Sequence, residues 1–391
     1  MKVTVIASTK ENYVATKEEF DMLSGHSAGV CYMPDNFEKL FGEPTDKTIK
    51  RSVSTKARQH HSVFGHPFIT FSLEDIPKAL AMVLNNEGIY NTSEKSARYT
   101  KMNLKPDEQA LYDKWLNKYI ELIKDKYQTK YPELFGDKKI EKLAQENARY
   151  LISVFTPTSM IYTISYQQLN YLYQMLKNEV NSETSNPFMI KLKPAMKEFC
   201  EAIEGTPFFD SEIARGVENK NRKLSLFSKV NPPEEYFGDV YATTYEASFA
   251  ELAQAQRHRT INYDIQLLND TKFFVPPILK GDDNLIKEWL EDCKKQANEF
   301  PQGMLVSIRE YGTMDHFIWK LKERKCSAAQ LEINIISNDT LKKYSDALSS
   351  RNHPRSEELK AYTRGARCTF PDYTCPAPCR FKEGIDESRL I

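Results

Sequence analysis

The segment Gln254-Ala255-Gln256-Arg257-His258-Arg259-Thr260 concentrates anion-binding and ring-stacking chemistry in one short stretch. On a helix, Gln254 and Arg257 stand three apart and share a face, whereas Arg257 and Arg259 point about 200° apart. Two guanidinium forks so disposed can address two different ligands. Each pairs with phosphate or carbonyl oxygens, or stacks on a flat ring. Taken alone, an Arg-His-Arg tripeptide also fits a solvated basic helix face, so other segments must decide.

Two other segments bear on it. One is His60-His61-Ser62-Val63-Phe64-Gly65-His66-Pro67-Phe68-Ile69-Thr70-Phe71, and the other is Ser96-Ala97-Arg98-Tyr99, with Glu94 two residues ahead. The first resembles the strand motif of the flavin-dependent thymidylate synthases, and the second resembles the Glu-x-Ser-Gly-Arg-Tyr loop of the same family. The family signature runs Arg-His-Arg, seven residues, then Ser. Counting back from Ser96 puts Asn86-Glu87-Gly88 where Arg-His-Arg belongs. Counting forward from Arg257-His258-Arg259 gives Leu267 in place of the serine. The chain therefore reads as two diverged repeats, each keeping the half of the signature that the other has lost.

Two more segments divide the same way. Ala148-Arg149 with Thr158 resembles the family segment whose arginine joins the serine loop, and it lies in the first repeat. Arg324 through Gln330-Leu331-Glu332-Ile333 resembles the family's Arg-x5-Gln-x-Glu-Ile helix and lies in the second, where the first repeat has Leu176. Family sites are shared between subunits, so a fused pair needs one copy of each half. The resemblance implies one deoxyuridylate (dUMP) site built from Ser96, Ala97, Arg98, Tyr99 and Arg149 of one repeat and Gln254, Arg257 and Arg324 of the other. Ser96, Arg98, Arg257 and Arg324 would stand at the reacting ring. FAD would lie against Arg257, His258 and Arg259, with Glu94 and His61 at its other edges.

The chemistry implied is reductive methylation. NADPH reduces the flavin, methylenetetrahydrofolate supplies the carbon, and reduced flavin delivers hydride, with no protein nucleophile. Several arginines would offset the phosphate and stabilise charge developing on the uracil carbonyls. The cysteine-dependent type of synthase uses a Pro-Cys-His setting, and here Pro378-Cys379 is followed by Arg380. Departures from the family leave alternatives open: Gly65 stands for a glutamate, Ala97 for a glycine, and Ser165 and Gln167 for two flavin-holding residues. A flavin- and folate-dependent hydroxymethylase is one alternative, and a silent nucleotide-binding subunit is another.

These groups need elements to hold them. Residues 66–73 alternate as a half-buried strand, and Asp75 with Pro77 can start a helix that Asn85, Asn86 and Gly88 stop. Met1–Ala7 reads as a first strand. Helices are predicted over 106–126, 139–154 and 162–180, a linker at 216–223, and a strand at 241–245. Further helices follow over 247–268, 283–298 and 312–326, the last continuing toward Ile333. Lys191, Lys193 and Lys197 read as solvated surface charges. The expected organisation is α+β: residues 1–215 and 224–350 as synthase-like modules, each an antiparallel sheet packed by long helices, and 351–391 as a cysteine-containing tail.

Bulk properties set the outer limits. With 391 residues there is room for two domains, and 54 basic against 54 acidic residues make a nucleic acid or membrane surface an unexpected partner. No run is long and apolar enough to span a bilayer. Seven scattered cysteines suit a reducing, cytoplasmic compartment. Cys368, Cys375 and Cys379, with His353 as a distant fourth ligand, could hold a structural zinc, though free or buried thiols are the simpler reading. Because family enzymes are homotetramers, two fused chains would form a homodimer that rebuilds that arrangement.

Overall fold

The computed structural model describes residues 6, 8–34, 37–98, 100–227, 234–376 and 390–391. Of the expected strand at 1–7 only Ile6 is among them, outside any strand, and Tyr99 and Cys379 are not. Three helices open the described chain: α1 (Lys17–Tyr32), α2 (Phe37–Phe41) and α3 (Thr45–Ala57). Thr16 caps α1 in a capping box with Glu19. A pattern is then traversed twice.

In the first half it runs β1 (Phe68–Pro77), α4 (Lys78–Leu84), β2 (Tyr90–Glu94), α5 (Pro106–Ile123), α6 (Asp137–Ala148), β3 (Pro157–Ser165), α7 (Tyr166–Asn181) and α8 (Pro187–Glu204). The short helices α9 (Ser211–Ala214) and α10 (Gly216–Asn219) lead to β4 (Tyr236–Phe237). The second half runs β5 (Val240–Ser248), α11 (Phe249–Ala255), β6 (Asn262–Leu267), α12 (Asp283–Lys295), β7 (Leu305–Thr313), α13 (Met314–Arg324) and α14 (Leu331–Ser350).

Both sheets are antiparallel, and their orders match: β1-β3-β2, and β5-β7-β6 with β4 added at the β5 edge. The fold is α+β. Register matches as well. Pro77 faces Pro157 as Ser248 faces Leu305, and Asn91 faces Thr163 as Asn262 faces Tyr311. The register departs between Leu73 and Ile76, where the first sheet carries a bulge and Asp75 has φ 55°.

The halves meet about a local two-fold. Val154 N–H donates to Phe300 C=O at 2.9 Å, while Gln302 N–H donates to Ile152 C=O at 2.7 Å, on either side of the Ser153–Pro301 bridge. Gly303 lies in that seam, where a Cβ would stand 2.9 Å from Tyr150 Cβ. Beside it, Trp115 of α5 and Trp289 of α12 pack edge to face at 4.8 Å, and Trp115 donates to Asp292. One hydrophobic core runs from Phe20 to Ile333 through both halves, and a smaller one around Phe317 and Tyr344 underlies the second sheet. Burying each large side chain stabilises by about 1.5–3 kcal/mol, so the seam is a core rather than a loose contact.

Several expectations on elements need correction. Asp75 does not cap α4; the strand continues through it, and Pro77 holds the N-cap position. The helix expected over 162–180 begins at Tyr166, because β3 occupies the preceding residues. The one expected over 247–268 ends at Ala255, and β6 follows. A turn separates α13 from α14, so 312–333 is not one helix. Lys191, Lys193 and Lys197 lie on α8, whose other face is buried through Phe188, Leu192, Met196 and Phe199. The expected linker is packed at its start, with Gly216 and Val217 buried.

Candidate active site

Short helices carry the site. Ser248 caps α11 by accepting from the Glu251 N–H, and the helix ends at Ala255, leaving Arg257-His258-Arg259 in the turn before β6. In the first half α4 ends at Leu84, and Asn86-Glu87-Gly88 fill the same turn before β2. The two turns lie side by side: Gln256 donates to Asn86 Oδ1 at 3.1 Å, and Tyr90 Oη donates to the Gln256 carbonyl.

A cavity of ≈ 190 Å³ opens between the halves. Lys78, Lys95, Ser96, Ala97, Arg98, Arg149, Thr156 and Thr158 line it from the first half, and Gln254, Arg257, Gln302 and Arg324 from the second. Its wall bears six cationic side chains and no carboxylate. Such a surface is complementary to an anion with several oxygens.

Intramolecular contacts hold the cations in place. Arg98 pairs with Glu146 at 2.6 Å and donates to the Ala328 carbonyl of the other half at 3.1 Å. Glu94 is buried between Lys78, at 2.5 Å from its own half, and Arg257, at 3.3 Å from the other. Burial, together with the nearby Arg257 and Arg149, pushes the Lys78 amine down, while Glu94 opposes them. Arg324 donates from Nε to His258 Nε2 at 2.7 Å and from Nη2 to the Gln254 carbonyl at 3.1 Å. Burial first, then the Arg324 and Lys320 charges, push the His258 imidazole down to about 2, so it is neutral and accepts from Arg324 through Nε2. Arg259 is exposed, stacks over Tyr90 at 5.3 Å and donates to Asn91 Oδ1 at 2.9 Å.

Ser96, Ala97, Arg98, Arg149, Gln254, Arg257 and Arg324 thus share one cavity. His258 adjoins it through Arg324, and Arg259 lies on the outer face of the same turn. Glu94 points inward as a bridge rather than toward a ligand. His61 is elsewhere: it is buried under α10, bonded to Tyr171 Oη at 2.9 Å and to the Lys56 carbonyl at 3.2 Å. The turn at His61–Gly65 packs against α1 and α7 instead of reaching the cavity. Cys368 and Cys375 have intermediate exposure, and no group of three or more metal-binding side chains occurs among the described residues. None of the helices there is long and apolar enough to cross a membrane.

Lys78, Gln302, Gln330, Tyr150 and Glu332 belong to the site or its support beyond the residues chosen from sequence. Gln330 and Glu332 stood in the quoted Arg-x5-Gln-x-Glu-Ile segment, a signal for their role. Lys78 and Gln302 carried none: Lys78 is placed by Glu94 and Thr156 of its own half, and Gln302 by the seam.

A sequence model of the family described as thymidylate synthase complementing protein matches residues 14–186. That family is the flavin-dependent thymidylate synthases, and the matched stretch is similar to it. The match contains Ser96, Ala97, Arg98, Tyr99 and Arg149 and ends before Gln254, Arg257 and Arg324. Comparison with curated proteins finds no match.

The counterpart of this cavity in the other orientation is filled. Aligning α4 with α11, β3 with β7 and α7 with α13 end to end pairs Gln254 with Val83, Lys78 with Phe249, Thr158 with Val306 and Arg324 with Leu176. The seam pairs Gln302 with Val154 and Thr156 with Met304. Val83, Phe249, Val306, Leu176, Val154 and Met304 are all buried in the core. The counterpart of His258 is Glu87, which accepts from Ser225 N–H and Oγ.

Proposed function

We propose that this chain is a flavin-dependent thymidylate synthase in which two fused modules, 1–215 and 224–350, form a single dUMP site per chain. The observation that carries the reading is the cavity itself: seven residues chosen from the family motifs, drawn from both halves, converge on one polycationic space. The buried apolar residues at the opposite position support one site rather than two.

In this reading the phosphate is held by the cationic wall, with the Ser96 loop and its backbone N–H groups on the anionic oxygens. Arg324, half-buried and tied to His258, would stabilise negative charge on a uracil carbonyl. Neutral His258 keeps a second positive charge away from Arg324 and fixes its guanidinium plane.

The residues present suit an FAD. Arg259 offers an exposed guanidinium for the diphosphate, stacked on the flat ring of Tyr90, and His258 completes a polar, uncharged edge. When bound, the flavin supplies hydride to the one-carbon unit on the pyrimidine. NADPH and methylenetetrahydrofolate are the co-substrates this chemistry requires. The protein aligns the rings, holds the phosphate and excludes water.

The test is direct. Purified chain incubated with dUMP, methylenetetrahydrofolate, NADPH and FAD should yield dTMP by chromatography, with flavin absorbance in the protein fraction. Release of 5-hydroxymethyl-dUMP instead would replace the reading with the hydroxymethylase, and absence of both turnover and flavin would replace it with a silent nucleotide-binding subunit.

A further inference from the structure

Beneath the Arg257-His258-Arg259 turn, the second half buries more acid than base. Lys320 of α13 and Glu310 of β7 form an ion pair at 2.5 Å, with both side chains fully buried. The Glu310 carboxylate is well satisfied: Oε1 accepts from Tyr241 Oη at 2.7 Å, and Oε2 accepts from Tyr245 Oη at 2.8 Å. The Lys320 ammonium stands over the rings of Tyr245 and Tyr263, 5.9 and 6.0 Å from their centroids. One ammonium thus balances one carboxylate.

Glu251 of α11 brings a second carboxyl to this space without a cation of its own. It is fully buried, and neither of its oxygens has a hydrogen-bond partner. The Ser248 N–H and hydroxyl, one turn ahead of it, are both taken by Glu332, which Tyr150 Oη also holds at 2.8 Å. From α14 and β7, Glu332 and Glu310 oppose its ionisation; from α13, Lys320 and Arg324 favour it. Tyr245 of β5 and Tyr263 of β6 face it as well, the first engaged by Glu310 and the second with its hydroxyl unpartnered. Both cations are in use elsewhere: Lys320 on Glu310, Arg324 on His258 and the Gln254 carbonyl. His258 is neutral and adds no charge. A carboxylate left unpaired in such a place is costly, so Glu251 keeps its proton at neutral pH.

We infer that Glu251 is a proton-operated catch: protonated, it leaves α11 and Arg324 in place around the cavity, and ionised, it unseats them and weakens anion binding there. Helix α11 ends in Gln254 and Ala255 and leads straight into Arg257, so a shift of Glu251 reaches the cavity wall. An ionised Glu251 has two cations to turn to, and Lys320 and Arg324 stand four apart on one face of α13. Drawing Lys320 strips Glu310 of its partner. Drawing Arg324 breaks its bonds to His258 and to the Gln254 carbonyl and takes a guanidinium off the wall. Glu251 touches no ligand in this account; it is a positioning residue, and its proton is the signal.

The experiment compares the full-length wild type with Glu251→Gln, which copies the protonated side chain and cannot ionise. Burial pushes the Glu251 carboxyl up to about 8. Wild-type affinity for dUMP by calorimetry, taken relative to the variant at the same pH, should therefore fall about tenfold from pH 7 to pH 9. The ratio cancels any titration of the nucleotide, which serves only as a probe of the cavity. Amide hydrogen exchange in α11 gives a second readout without ligand. Corrected for intrinsic rates, wild-type protection should drop about tenfold to a hundredfold between pH 6 and pH 8 and stay level in Glu251→Gln. Wild-type protection that ignores pH overturns the inference even if Glu251→Gln does not fold. An affinity ratio that stays constant overturns the link to the cavity. If neither protein binds dUMP at pH 7, the nucleotide reading has failed, and exchange alone decides whether the catch exists.

Discussion

Arg98 donates to the main-chain carbonyl of Ala328 at 3.1 Å, joining the serine-bearing loop of the first half to the turn that follows Arg324 in the second. With Glu94 held between Lys78 and Arg257, this makes the cavity a product of both halves of one chain. A site built this way depends on the seam as much as on its ligating residues.

The seam tolerates no added volume at Gly303. A Cβ there would lie 2.9 Å from Tyr150 Cβ and 3.0 Å from the Tyr150 carbonyl oxygen, both part of the wall's support. Gly303→Ala should destabilise the chain by about 1–3 kcal/mol in urea denaturation and weaken dUMP binding in parallel. Unchanged stability would mean that the halves can separate slightly at no cost.

The filled counterpart should not be recoverable by a single charge. Leu176 stands where Arg324 stands in the other half and is fully buried. Leu176→Arg should cost more than about 4 kcal/mol, because the cation would have no partner. Titration of any folded fraction should show no additional nucleotide site.

Glu251 gives a pH signature. Its carboxyl is buried with both oxygens unpartnered, because the Ser248 N–H that a helix-capping glutamate would take is bound by Glu332. Burial pushes it up to about 8 from an ordinary 4.5. Between those values the folded chain holds a proton that the unfolded chain has released. This group's contribution to stability therefore falls as pH rises through that window. Glu251→Gln removes the contribution, so its melting temperature relative to wild type should climb from about pH 5 to about pH 8. A constant difference would show that Glu251 ionises normally.

Arg259 separates flavin from nucleotide. It is exposed on the outer face of the turn, stacked on Tyr90, while Arg257 faces the cavity. Arg259→Ala should lower flavin retention after gel filtration, read by absorbance, and leave dUMP affinity little changed. Loss of both together would place the two ligands in one subsite.

The polar motifs were legible in the sequence because their residue types are rare and their spacing is fixed by short turns. The strands beside them were less so. In β6, Asn262-Tyr263-Asp264-Ile265-Gln266-Leu267 alternates, but it follows a helix after so short a turn that the two merged into one apparent helix. In β7 the inward position Glu310 breaks the apolar pattern, since the structure neutralises it with Lys320 at 2.5 Å, both fully buried. Helix α1 buries Asp21, Ser24, Gly25 and His26 rather than an apolar stripe, and α3 buries Thr48, Ser52 and Thr55. The contact between them is made largely through small and polar groups, which no apolar stripe marks in the sequence. His61 was legible as a motif residue, but not its place, because Tyr171 and α10, which enclose it, lie far along the chain.

The central claim is one composite site per chain, and the most direct measurement is dUMP titration of wild type, Arg98→Ala and Arg257→Ala by calorimetry. Each arginine offers charge-assisted hydrogen bonds worth about 1.5–3 kcal/mol, so either substitution alone should weaken binding by roughly tenfold to a hundredfold. The wild type should bind one nucleotide per chain. Two nucleotides per chain, or a variant that keeps half the sites at full affinity, would contradict the account.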